Sequence, residues 1–402
     1  MPPTATVILN SGRDKSVRLR HPRLFSGAIK QIKGKAIDGD VVEVCSNTGE
    51  WLARGILNQR AQAAVRLLTW NEGEEIDEAF WGRQVQASVQ RRDRDPLLIH
   101  TNARRLIFGE SDGLPGVIAD DYAGYVVVQI STMIAAHALP VIVEAIAQSV
   151  QPKGIVIRND TERLRHEGVA IAEPEMARGR VPQAPVEIVE KGLHFLVNIT
   201  TGQKTGFYLD QRENRSRMAH YCQHASVLNG FSFTGAFGIY AAAAGANRVV
   251  NLDSSAEVLK LAEQNVELNR EGFNSCAQVE FVCGDAFADL RSRRDAGEQF
   301  DVVILDPPKF APTAARVERA TRAYKDLNRI GLLLVKPGGV LVTFSCSGTV
   351  DSALFQKVIF SAAIEANRNA QIIERLIQSS DHPVLLSFPE SEYLKGLILR
   401  VE

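Results

Sequence analysis

Five short stretches in the second half of this 402-residue chain carry side chains able to do chemistry. They are Asn229-Gly230-Phe231-Ser232-Phe233-Thr234-Gly235, Asp253-Ser254, Gly284-Asp285-Ala286, Leu305-Asp306-Pro307-Pro308-Lys309-Phe310 and Ser345-Cys346-Ser347. The glycines of the first permit a tight turn and let a ligand approach the backbone closely. The full Gly-x-Gly-x-x-Gly pattern that holds a pyrophosphate is absent, so the turn suits a nucleoside carrying no diphosphate. Asp253, roughly 20 residues further on, is placed to accept hydrogen bonds from ribose hydroxyls. With Ser254, Ser255 and Glu257 following, it also reads as a helix cap. Asp285 offers an acceptor to the exocyclic amine of an adenine. Glycine, then Asp, then Asp at successive strand ends fits S-adenosylmethionine better than NAD.

Pro307 and Pro308 remove backbone donors and stiffen their loop, so that Asp306 is presented in a fixed geometry. A nucleobase amine is recognised by such rigid acceptors; an ordinary proline-rich turn is the plainer alternative. Cys346 brings different chemistry. Carbon 5 of a pyrimidine is a poor nucleophile toward a sulfonium methyl group. Thiolate attack on carbon 6 activates carbon 5, methyl transfer follows, a base removes the carbon 5 proton and the thiolate is eliminated. A base nitrogen has its own lone pair and needs no covalent help, so Cys346 argues for carbon 5. Asp306 is a candidate for the proton-abstracting base and equally for base recognition.

These stretches matter because of the elements that must hold them. Strands are expected at Ser226–Leu228, Arg248–Leu252, Val279–Val282, Asp301–Leu305 and Gly339–Phe344, with helices between them. That is the pattern of a parallel α/β sheet with helices on both faces. Such sheets bind ligands beyond the carboxyl ends of their strands, where all five stretches fall. A hairpin about Lys191-Gly192 precedes them. The chain divides into three segments: 1–71, with short alternating runs (Ser16–Arg20, Val41–Val44, Trp51–Ile56, Ala63–Leu68) that read as a small β-barrel; 72–185, a small α/β segment; and 186–402. In the middle segment a helix is expected over Ile76–Asp93 and another over Ala138–Val150. Strands are expected at Ala103–Phe108, Val117–Asp121, Tyr125–Ile130 and Gly154–Ile157, and a loop over Ala172–Pro185.

The net charge is −1, yet up to Trp70 eleven basic side chains face five acidic ones. That local surplus fits phosphate contacts, or a basic solvated face. Five cysteines at irregular spacing, with no Cys-x-x-Cys pair, signal neither a zinc site nor a disulfide framework, and no metal is expected. Cys283, within a strand, reads as core. No apolar run approaching the ~18 residues of a membrane span is evident, and the N-terminus lacks a leader's features. A cytoplasmic protein with no membrane partner is the expectation; self-association as a homodimer is left open.

At these residues the chain resembles the RlmI-like family of bacterial 23S rRNA cytosine-5 methyltransferases. The resemblance is carried by Gly202-Gln203-Lys204-Thr205-Gly206-Phe207-Tyr208-Leu209-Asp210-Gln211-Arg212, by Asn229 to Phe237, Leu305 to Phe310 and Ser345-Cys346-Ser347. Asp381-His382-Pro383, Pro389-Glu390 and Tyr393-Leu394-Lys395-Gly396 extend it toward the C-terminus. It implies a PUA-like RNA-binding domain first, a small central α/β domain, and a Rossmann-like class I methyltransferase domain preceded by a β-hairpin. It implies S-adenosylmethionine as cofactor, Phe207, Asp210 and Arg212 in a loop closing over it, and 23S rRNA as substrate. One departure stands out. Many RNA cytosine-5 enzymes carry a second cysteine after the proline of the fourth-strand loop, where this chain has Lys309 and Phe310. The single thiol looks like that of 5-methyluridine enzymes, which keeps uracil as an alternative base. A guanine N-methyltransferase, whose relatives share the Asp-Pro-Pro-x-Phe loop, is the other.

Overall fold

Runs of β-branched and aliphatic residues ending in Gly, Asp or Ser build the sheet that carries the five stretches. In the computed structural model this sheet has seven strands: β1 (Ser226–Gly230), β2 (Arg248–Asp253), β3 (Gln278–Cys283), β4 (Phe300–Leu305), β5 (Val335–Ser345), β6 (Ala370–Ile377) and β7 (Lys395–Val401). The order is β3-β2-β1-β4-β5-β7-β6. The first five are mutually parallel, whereas β7 runs antiparallel to both β5 and β6. The five expected strands are all present, each extended by one to five residues. Strands β6 and β7 were not foreseen. The structure describes residues 3–159, 161–169, 175–180, 182, 184–200, 205–273, 277–310 and 317–402.

By its contacts the chain forms two units. One comprises Met1–Val186, Val197–Phe207 and Asp381–Ser391; the other comprises Glu187–Leu196, Tyr208–Ser380 and Glu392–Glu402. The seven-stranded sheet lies in the second. Helices Ala286–Asp295, Val317–Leu334 and Ser352–Glu365 contribute Leu290, Tyr324, Leu327, Phe355 and Ile359 to a core shared with Val303, Leu305 and Leu341. Burial of such side chains contributes roughly 1.5–3 kcal/mol each. Val186–Glu190 and Leu193–Val197 form the expected hairpin. Lys191 (φ 49°) and Gly192 (φ 82°) give it the two left-handed residues of a two-residue turn.

The first unit holds a six-stranded sheet and a five-stranded one. In the six-stranded sheet Val7, Leu9, Val42, Val44, Ala53 and Val65 form a separate core. The alternating run Ser16–Arg20 is not a strand, contrary to expectation. Lys15–Arg18 is one helical turn, which buries only Val17 and is braced by Arg18 Nε on Asp14 at 2.6 Å. In the five-stranded sheet Glu175–Gly179 pairs antiparallel with Gly154–Ile157, so part of the stretch expected as loop is a strand. Asp77 caps the helix Glu78–Asp93 by accepting from Phe80 N. The second helix starts earlier than expected, at Met133, and over Met133–Val150 it is long and apolar enough by composition to cross a membrane. This corrects the expectation that no such run exists. Ile134, Ala138, Ile142 and Ile146 of that helix are instead buried with Val117, Val126 and Val128 of the sheet.

Candidate active site

Parallel register levels the strand ends. Gly230 stands opposite Leu252 and Leu305, and Leu305 opposite Thr343. One residue on, the chain places Phe231, Asp253 and Asp306 along one edge, and Cys346 follows just past β5. In the turn after β1, Phe231 (φ 60°) and Phe233 (φ 49°) adopt left-handed backbone. Bulky residues do so only at a cost, and such strain clusters at ligand sites. The turn is held by Ser232 N on Leu252 O and Gly235 N on Ser232 O, both 2.9 Å. Gly235 (φ 79°) packs so closely that a Cβ there would lie 3.1 Å from that of Ala262. Asn229 turns inward, donating from Nδ2 to Asn251 Oδ1 at 2.9 Å.

Asp253 ties this turn to the next. Its Oδ2 accepts from Phe233 N at 2.9 Å and its Oδ1 from Ser255 N at 3.0 Å. Each oxygen has a second lone pair, so acceptor capacity for a ligand hydroxyl remains. The cap of helix Ala256–Asn269 is Ser255, which accepts from Val258 N. Ser254 is exposed, and its carbonyl accepts from Cys283 Sγ at 3.7 Å. Asp285 is exposed and caps helix Ala286–Asp295 through Ala288 N at 2.8 Å, while Ala286 is buried. Ser232 Oγ and Thr234 Oγ1 are buried and have no hydrogen-bond partner among the described residues. Burying a hydroxyl unpaired costs roughly 1–3 kcal/mol. Two such hydroxyls on a strained turn, beside an acceptor carboxylate, fit a polar nucleoside-bearing ligand such as S-adenosylmethionine.

A second group of contacts centres on residues just after Phe207. Phe207 belongs to the first unit, where it is buried and its N donates to the Tyr122 hydroxyl at 3.2 Å. In the second unit Asp210 is buried. Its carboxylate accepts from the Tyr393 hydroxyl and its carbonyl from Ser379 N and Oγ. Arg212 is fully buried, with Nε 3.5 Å from Glu190 Oε2. Arg215 grips both Glu190 oxygens at 2.8 Å and also donates to Tyr208 O at 3.0 Å. Tyr240 adds a hydroxyl to Glu190 at 3.0 Å. One buried carboxylate is thus shared by two buried guanidinium groups, and Arg215 fixes the start of the Tyr208–Gln211 stretch.

Gln211 connects that stretch to the proline loop. Its Nε2 donates to Asp306 Oδ2 at 3.0 Å, and its Oε1 accepts from Asn214 Nδ2 at 2.6 Å. Asn214 Nδ2 also donates to Ile377 O at 2.9 Å. These partners set the orientation of both amides, so Asp306 is held as an acceptor. Burial pushes the Tyr208 phenol well above its ordinary range, and Asp306, Asp210, Cys346 and Asp253 reinforce the shift. That ring stands where the strand-end groups converge, edge-on to Phe233 with centroids 5.1 Å apart.

Cys346 is half-buried between two fully buried serines. Lys395 Nζ donates to Ser347 O at 2.8 Å behind it. The other described thiols differ. Burial pushes Cys222 up to about 12 and raises Cys45 as well. Cys283 is exposed, correcting its expected place in the core, because β3 is an edge strand. Cys276 lies outside the described residues. Sequence reasoning missed Tyr208, Gln211, Glu190 and Lys395 as parts of the site. The first two and Lys395 lie inside stretches it singled out, but their partners are far away in the chain.

Comparisons with known proteins agree with this architecture. Residues 163–400 match the S-adenosylmethionine-dependent methyltransferase family model and residues 7–70 a PUA-like domain. The ribosomal RNA large subunit methyltransferase I of Aeromonas salmonicida is 43% identical over 396 residues, 98% of each chain. That of Salmonella newport is 41% identical over 395 residues, 98% of this chain and 97% of the relative. A solved Streptococcus mutans chain, assigned as a SAM-dependent methyltransferase, superposes with a TM-score of 0.83 at 21% identity, covering 98% of this chain and 99% of its own. A second solved methyltransferase chain, complexed with SAH, gives 0.84 at 22% identity over the same shares. A Rossmann-like sheet, a matching methyltransferase model and full-length relatives above 40% identity together place this chain in the ribosomal RNA large subunit methyltransferase I family, whose cofactor is S-adenosylmethionine.

Proposed function

We propose that this enzyme methylates carbon 5 of a cytosine in large-subunit ribosomal RNA, with Cys346 as the nucleophile. The observation that carries the proposal is the half-buried thiol of Cys346 at the strand-end edge, past β5 and next to the strand that presents Asp306. S-adenosylmethionine, when bound, supplies an electrophilic methyl group. The Gly230–Gly235 turn, Ser232, Thr234, Asp253 and the Asp285-Ala286 helix start would hold it. Asp210 and Arg212 act by fixing the stretch that leads to Gln211.

The Cys346 thiolate attacks carbon 6 of the base, and the ring electrons shift onto carbon 5, which takes the methyl group. Loss of the carbon 5 proton to a base then expels the thiolate and restores the ring. Asp306, held as an acceptor by Gln211, faces an amine favourably and a carbonyl oxygen unfavourably. Cytosine presents an amine at carbon 4 and uracil a carbonyl, which supports cytosine. The basic surplus of segment 1–71 supports an RNA partner. Arg18, Arg23, Arg54, Arg60 and Arg66 are ion-paired, leaving Arg13, Lys15, Arg20, Lys30, Lys33 and Lys35 exposed for phosphates. Segments 72–185 and 186–402 are read as the linking and catalytic parts.

Digestion of enzyme-treated large-subunit rRNA to nucleosides tests the proposal. The expected product is 5-methylcytidine; N-methylated guanosine or 5-methyluridine as the product would contradict it.

A further inference from the structure

We propose that the Lys395 ammonium is the counter-ion of the Cys346 thiolate, a positioning residue that activates the nucleophile from behind its own loop. This deepens the assignment of Cys346 as nucleophile and rests on it.

The antiparallel register of β5 and β7 sets Lys395 opposite Ser345, the residue before Cys346. The side chain is almost entirely enclosed, at 4% exposure. Its Nζ donates to the carbonyl of Ser347, the residue after Cys346, at 2.8 Å. The backbone of Lys395 is thus paired with the residue before the thiol, and its ammonium is bonded to the residue after it. Among the described residues no carboxylate forms an ion pair with it. A buried ammonium without a close counter-charge is costly, and proteins keep such groups where a negative charge is supplied.

The Glu392 and Asp351 carboxylates act on it only from beyond ion-pair distance, whereas the thiol sits on the loop that the ammonium holds. Burial draws Lys395 down to about 8, Lys309 pulls the same way, and Glu392, Cys346 and Asp351 oppose it. At neutral pH the amine is thus still charged, and it loses its proton as the pH rises through about 8. The interaction is reciprocal: a thiolate that favours the ammonium is favoured by it. The other groups that sense Cys346 are the phenols of Tyr208 and Tyr324, whose ionisation is disfavoured, so they stay neutral.

The test is the pH dependence of iodoacetamide alkylation in the full chain without RNA, read peptide by peptide by mass spectrometry. Exposed Cys283 serves as the internal reference. Cys346 is expected to react with a midpoint below that of Cys283. In K395M the midpoint rises by about 1 pH unit or more, and K395R restores most of the shift. A Cys346 midpoint at or above that of Cys283 in the wild-type chain overturns the proposal, even if no variant folds. So does a K395M chain, folded by circular dichroism, whose midpoint is unmoved. The outcome is independent of methyl transfer. An acid-shifted, Lys395-dependent thiol that forms no adduct with RNA would overturn the nucleophile assignment and leave this one standing.

Discussion

Replacing Cys346 by Ala is expected to lower rRNA methylation by about 10³-fold or more while leaving S-adenosylmethionine binding unchanged. The size of the effect follows from the chemistry. Without a thiolate on carbon 6, carbon 5 has no electron density to offer a sulfonium methyl, and no neighbouring side chain substitutes for a covalent bond. The selectivity follows from the geometry. The groups suited to the cofactor lie on the turns after β1, β2 and β3, whereas Cys346 follows β5. Its half-buried position means that loss of the sulfur leaves little cavity. Methyl transfer from labelled cofactor and calorimetric cofactor binding, run side by side on C346A, measure both halves. Retained activity would place the acceptor on a nitrogen and remove the thiol from the mechanism.

The largest structural effect is expected at Glu190. Replacing it by Ala leaves Arg212 and Arg215 buried without their carboxylate and Tyr240 without an acceptor. Removing one partner of a buried ion pair costs about 3–5 kcal/mol, because the remaining charge stays desolvated. Here two guanidinium groups lose a shared partner at once. The same change frees Tyr208 and Gln211, since Arg215 holds the Tyr208 carbonyl. E190A is therefore expected to lower the unfolding free energy of the seven-stranded unit, read by urea titration, by that amount and to weaken cofactor binding as well. E190Q, which keeps the shape and loses the charge, is expected to fall on the same side. A loss under about 1 kcal/mol in both would show that Glu190 is not what neutralises the pair.

Much of the second unit was legible in the sequence because its strands are short apolar runs ending in turn residues, separated by helix-length spacers. Parallel strands buried on both faces look that way whatever their ligand. That pattern delivered β1 to β5 and, with them, the positions of Asp253, Asp306 and Cys346. It did not deliver β6 and β7. Ala370–Ile377 is an edge strand in which Ile372-Ile373 and Glu374-Arg375 break any polar–apolar alternation, and Lys395–Val401 is too brief to separate from a helix turn by periodicity. With β7 unrecognised, Lys395 had no place near the thiol. Gln211 and Glu190 were hidden for another reason. Their partners, Asp306 and Arg215, are 95 and 25 residues distant, and hydrogen bonds of that kind leave no local trace. Arg212 shows the converse: its motif pointed to the cofactor, and its contact with Glu190, 22 residues earlier, left no trace in that motif. Ser16–Arg20 failed because a five-residue alternation also fits a single helical turn with one buried valine.

The covalent step is the centre of the account, and 5-fluorocytidine tests it most directly. Fluorine at carbon 5 cannot leave as a proton does, so the adduct between Cys346 Sγ and carbon 6 cannot resolve after methyl transfer. Large-subunit rRNA substituted with 5-fluorocytidine, incubated with enzyme and S-adenosylmethionine, is predicted to yield a denaturation-resistant protein–RNA complex. Peptide mapping should locate it at Cys346, and C346A should form none. Wild-type enzyme that methylates unsubstituted RNA in parallel and yet forms no adduct would contradict the covalent mechanism.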